Sequence, residues 1–64
     1  MKLIQKLGDD AVIVKIYRNS EWNEFVCRLF VNGAELKDSS YHTDDKQDAL
    51  DTAQSMLLLS YMEV

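Results

Sequence analysis

Residues 22–33 read Trp22-Asn23-Glu24-Phe25-Val26-Cys27-Arg28-Leu29-Phe30-Val31-Asn32-Gly33, and this stretch decides the fold. Phe25, Cys27, Leu29 and Val31 recur at every second position, with Glu24, Val26, Arg28 and Phe30 between them. A period of two belongs to a strand, whose side chains point to alternate faces. The first set is wholly apolar and is expected to face the core. Asn32-Gly33 closes the run. Both residues tolerate the positive φ of a type I′ turn, so the chain is expected to fold back as a hairpin.

Working outward, Ala11 to Arg18 is rich in β-branched and aromatic residues and is separated from the central run by the polar Asn19-Ser20-Glu21. Two such runs around a polar break predict a second hairpin. Val12, Val14 and Ile16 are taken as its core face, although Ile13 and Tyr17 make the opposite face apolar as well. Lys2 to Leu7 is expected to be a short first strand that ends at the turn-forming Gly8-Asp9-Asp10. After Asn32-Gly33 a polar third hairpin strand is expected over Ala34 to His42, at a sheet edge where Lys37 and Ser39-Ser40 discourage further pairing.

Thr43 is the expected N-cap of a helix, followed by Asp44 and Asp45 at the positive end of its dipole. Ala49, Leu50, Ala53, Met56, Leu57 and Tyr61 then recur at helical spacing, with Asp48, Asp51 and Ser55 off that stripe. The predicted fold is α+β, a three- or four-stranded antiparallel sheet with one C-terminal helix packed on one face. Residues 1–64 are expected to form a single domain. Its predicted core is Val12, Val14, Ile16, Phe25, Cys27, Leu29, Val31, Ala49, Ala53, Met56 and Leu57.

A chain of 64 residues lies near the lower size limit of a domain, where only about 60% of the unfolded surface is buried on folding. One cysteine forms no internal disulfide, and with one histidine it makes a poor zinc set. The longest apolar runs, Ala11 to Val14 and Met56 to Leu59, are far short of the roughly 20 residues that span a bilayer, and the N-terminus lacks a signal-peptide core. A cytoplasmic protein is expected, with Cys27 as a small core residue in a reducing compartment. The net charge of −4 is uneven: residues 1–33 hold five basic and four acidic groups, residues 34–64 two basic and seven acidic. This acidity weighs against non-specific binding of nucleic acid, which depends on neutralising phosphates with Lys and Arg.

No catalytic, cofactor-binding or metal-binding residues are expected. His42 stands near Ser39 and Ser40, but a Ser–His pair needs an orienting carboxylate, an oxyanion site and a pocket, which a chain this short has little room to supply. Asp44, Asp45, Asp48 and Asp51 lack the alternating oxygen ligands and central glycine of a calcium loop. Binding is the better expectation. Lys15, Tyr17, Arg28 and Phe30 are predicted on the sheet's outer face with Trp22 near the strand entrance, a mixture of rings and cations that suits partner contact. The plain alternative is that they complete a partly exposed sheet. Asp48 and Asp51 offer an acidic helix face able to complement a basic site. Leu58, Leu59 and Met62 fall off the core stripe and are expected to support a homodimer.

Tyr17-Arg18, Glu21 to Phe25, Val31-Asn32-Gly33 and Tyr41 to Ala49 resemble a group of short proteins encoded by tailed bacteriophages, over about residues 11–57. The resemblance implies a phage accessory protein that acts by binding a host protein, in the host cytoplasm, and carries over no functional residues. The order of strands and helix is also similar to the AP2-type DNA-binding domain and, less closely, to the double-stranded-RNA-binding domain. The AP2 likeness implies a sheet that reads DNA through Arg and Trp, here Arg28 and Trp22. Basic content is low for that role, and Asp44-Asp45-Lys46 replaces the basic helix start of the RNA-binding family. The expected function is therefore non-catalytic binding and modulation of a host protein, with nucleic-acid binding through the sheet face as the alternative.

Overall fold

The structure, a computed structural model, describes residues 1–62, with side chains through Tyr61. Five strands and one helix follow in the order β1 (Lys2–Gly8), β2 (Val12–Asn19), β3 (Glu24–Val31), β4 (Ala34–Glu35), β5 (Tyr41–Thr43) and α1 (Lys46–Met62). All pairings are antiparallel: β1 with β2, β2 with β3, and both β4 and β5 with β3. The α+β expectation holds. Asn32 and Gly33 have φ of 52° and 84°, the left-handed geometry on which the expected hairpin turn depends.

The alternation of β3 places Phe25, Cys27 and Leu29 under the helix, and the register sets Ile16 opposite Cys27, Val14 opposite Leu29 and Val12 opposite Val31. Cross-strand partners share a face, so the register also resolves β2: Val12, Val14 and Ile16 point to the helix, Ile13, Lys15 and Tyr17 away from it. Ala49 and Ala53 are the fully buried residues of α1, and Leu50, Met56 and Leu57 pack around them. Two alanines in succession on one helix face bring its backbone close to the sheet. Cys27 Sγ reaches the Ala49 carbonyl at 3.2 Å. The 17 residues of α1 extend about 26 Å, close to the length of an eight-residue strand.

Three details differ from the sequence-based expectation. The third hairpin strand is not continuous over Ala34 to His42. β4 opposes Phe30 and Val31, a 3-10 turn over Lys37–Ser39 leaves the sheet, and β5 returns opposite Phe25 to Cys27. The Leu36 amide still donates to the Leu29 carbonyl at 2.9 Å, and the Ser39 amide turns back to Leu36 at 3.0 Å. The helix N-cap is Asp45, not Thr43. Asp45 Oδ1 accepts from the amides of Gln47 and Asp48 at 2.9 and 3.4 Å, while Thr43 closes β5 opposite Phe25 and its Oγ1 accepts from the Asp45 amide. Finally, β1 carries a bulge between Leu3 and Gln5, so Leu3 lies opposite Tyr17 while Gln5 lies opposite Ile16.

Candidate functional site

One face of the sheet lies under α1, and the other, here the open face, carries most of the side chains expected to bind a partner. The register assembles them into rows. Lys6, Lys15 and Arg28 are direct partners across β1, β2 and β3 and form a line of three cations. On one side runs Ile13 opposite Phe30, on the other Tyr17 opposite Val26 and then His42. Lys15 Nζ lies 4.7 Å from the centre of the Phe30 ring, and Arg28 Cζ lies 5.6 Å from that of Tyr17. Lys15 and Arg28 thus each lean onto a flanking ring, a contact of about 0.5–1 kcal/mol at exposed sites. Arg28 Nη1 also meets Glu35 Oε1 at 3.5 Å, whereas its Nε–H finds no acceptor in the protein.

Val26 belongs to this face yet is fully buried, because it lies between its register partners Tyr17 and His42. The open face therefore has a small apolar floor under its charged groups. Alternation placed Val26 correctly on the outer side; its burial depends on which long side chains the register sets beside it.

The remaining expected contact residues lie elsewhere. Trp22 is 74% exposed in the β2–β3 turn, beyond the Asn19–Glu24 pair and apart from the cation row. Asp48 and Asp51 are on α1, across the sheet from the open face. Asp48 Oδ2 accepts the Tyr41 hydroxyl at 2.7 Å, which lowers the Asp48 carboxyl and raises the Tyr41 phenol. Asp51 accepts from Gln47 Nε2 at 3.1 Å. The acidic helix positions thus already take part in local hydrogen bonds, and the basic and acidic candidates occupy two surfaces.

Two apolar grooves flank the C-terminal half of α1. The larger, about 530 Å³, is lined by Val12, Leu29, Val31, Leu36, Met56 and Leu59 together with Ser39 and Ser60. The smaller, about 320 Å³, lies between Leu7 and Gly8 of β1 and Gln54, Leu57 and Leu58 of α1. Leu58 and Leu59 are both exposed, Leu58 bordering the smaller groove and Leu59 the larger. The Met62 side chain lies outside the described residues.

His42 Nδ1 contacts Glu24 Oε1 at 3.1 Å, and Ser40 Oγ donates to the Lys37 carbonyl at 3.1 Å. Ser40 and His42 are thus each engaged with other partners. Among the described residues, no group of three or more His, Cys, Asp or Glu is placed to hold a metal ion. No helix among them is long and apolar enough to cross a membrane. Burial raises the Cys27 thiol, and the charge of Asp48 adds to the effect, so the reactive thiolate is disfavoured. No protein family, no curated protein and no solved structure matches the chain.

Proposed function

We propose that this is a non-catalytic accessory protein that binds and modulates another protein, with the open face of the sheet as its contact surface. The cation row carries the reading. Like charges set directly opposite one another in a sheet disfavour folding, yet Lys6, Lys15 and Arg28 stand side by side in a chain of net charge −4. A carboxylate-bearing partner offsets that repulsion. Tyr17, Phe30 and Arg28 are of the types that dominate binding energy at protein interfaces. The resemblance to short phage proteins supports a bacterial host protein as the partner, and the free, buried Cys27 is compatible with the reducing host cytoplasm.

The test compares partners retained from bacterial lysate by the wild type and by a Lys15→Glu, Arg28→Glu double variant whose folding is checked by circular dichroism. The expected result is a partner retained by the wild type and depleted at least about tenfold by the variant, the equivalent of about 1.4 kcal/mol. Identical retention by both forms, at low and moderate salt, overturns the reading.

Nucleic-acid binding is the second reading, favoured by the placement of the Tyr17 and Phe30 rings on either side of the cations. Three cations set its signature: log affinity for a single strand should fall with log salt at a slope of about −2, and Arg28→Ala should make that slope shallower. Absence of binding to single strands and duplexes at low salt removes it.

A twofold dimer belongs to the same proposal. Leu59 is 59% exposed at the lip of the larger groove, and in a twofold dimer it would enter the same groove of the second copy. Sedimentation at tens of micromolar should give a dimer that Leu59→Glu converts to monomer. A monomeric wild type, or a variant that still dimerises, rules out this interface.

A further inference from the structure

β1 is a seven-residue edge strand, exposed throughout except at Leu7. One side pairs with β2; the other has no backbone partner among the described residues. Such an edge presents a row of unpaired amide and carbonyl groups that can template a further strand. The opposite side of the sheet offers no equivalent, since its outermost position is split between the two-residue β4 and the three-residue β5.

What lies on either side of β1 gives the pattern of side chains that an added strand would need. Beside it on the helix side is the smaller groove, with Leu7 on one wall and Leu57 and Leu58 on the other, a site for an apolar side chain. On the open side the cation row begins at Lys6. That row meets a carboxylate at its far end, where Glu35 contacts Arg28, and among the described residues Lys6 has no ion pair at the near end. An acidic side chain opposite Lys6 would close the row with a carboxylate at both ends. Groove and cation lie on opposite faces, so the two side-chain types must alternate along the incoming chain.

We propose that the partner protein docks by strand addition, an extended segment of alternating acidic and apolar side chains pairing with the free edge of β1. This rests on the reading of the open sheet face as a protein-binding surface and specifies how the partner engages it.

The experiment uses the isotope-labelled full chain and a capped heptapeptide, TEVEVET, as the probe. Binding should shift the amides of β1 and of residues 54–58 and slow hydrogen exchange along β1. Lys6→Glu should weaken binding about tenfold or more, and the charge-swapped peptide TKVKVKT should bind the variant better than the wild type. A probe N-methylated throughout keeps its side chains but loses its amide donors, and should not bind. Failure of TEVEVET to bind at millimolar concentration, or binding indifferent to N-methylation, overturns strand addition. Shifts confined to Tyr17, Arg28 and Phe30 overturn it too while leaving the proposed sheet-face interaction standing. Concentration-dependent protection of β1 without peptide identifies a second copy as the occupant and likewise overturns it. Loss of lysate partners in the Lys15→Glu, Arg28→Glu variant is a separate readout, so failure of the docking mode and failure of the function are distinguished.

Discussion

Gly8→Ala is expected to be among the most damaging single-methyl additions to this chain. A Cβ at Gly8 would stand 2.1 Å from the Val12 carbonyl oxygen and 3.0 Å from Leu57 Cδ1, at a φ of +104° that side chains rarely adopt. The leucine tip can move, but the carbonyl cannot easily do so, because it accepts the Asp9 amide at 3.0 Å and holds the β1–β2 corner closed. Backbone strain together with a disrupted turn should cost about 2–4 kcal/mol. Against a total stability of about 3–10 kcal/mol for a domain of this size, that is a large fraction. Gly33 is the control: its φ is +84°, but an added Cβ meets nothing within 4 Å, so Gly33→Ala should cost only the conformational strain of about 1–2 kcal/mol. Urea unfolding of the two variants side by side checks the ranking. Equal losses would mean that the contact at the β1–β2 corner contributes nothing beyond φ strain.

Ile16→Ala should be at least as costly, by another mechanism. Ile16 is fully buried opposite Cys27, beneath a helix whose closest residues are alanines. Its register partner Cys27 and the alanines above it are small, so they fill little of the space left by truncation. Large-to-small changes of this kind cost about 2–5 kcal/mol, which would leave much of the variant unfolded at room temperature if the wild type is near the lower end of its size class. Ile13→Ala, on the half-exposed opposite face, should cost at most about half as much. The pair measures which side of β2 is the core. Comparable losses at the two positions would contradict the assignment of the helix-covered face.

Much of this fold was legible because local and global signals agreed. The alternation of β3, the Asn32-Gly33 turn and the apolar spacing along α1 lead to the observed hairpins and helix, and every residue expected in the core is buried in it or packed against it. The misplaced details arise where several residues offer the same chemistry. Thr43, Asp44 and Asp45 are all competent N-caps, and pairing of Thr43 with Phe25 passes the role to Asp45. Leu36 to Ser40 has no periodicity from which to infer a break, and the 3-10 turn there depends on contacts with β3. Lys15 and Tyr17 needed the register to join the outer face, since both faces of β2 carry apolar residues, but Arg28 and Phe30 were identifiable as outward-facing from period two alone. Lys6 was not, because periodicity tells which face a residue occupies but not which residue of the next strand stands beside it. The bulge in β1 further shifts that register.

The interruption between β4 and β5 also bears on stoichiometry. Growth into an open filament requires two complementary edges on every subunit, so that each added copy presents a fresh end to the next. Here one side of the sheet has a seven-residue edge and the other has two fragments separated by a turn that leaves the plane. A strand that pairs with β1 lengthens the sheet once, and the broken side caps it. On the proposed docking mode each chain accordingly offers one edge for pairing, and copies of the chain do not stack through their two sheet edges into an open filament.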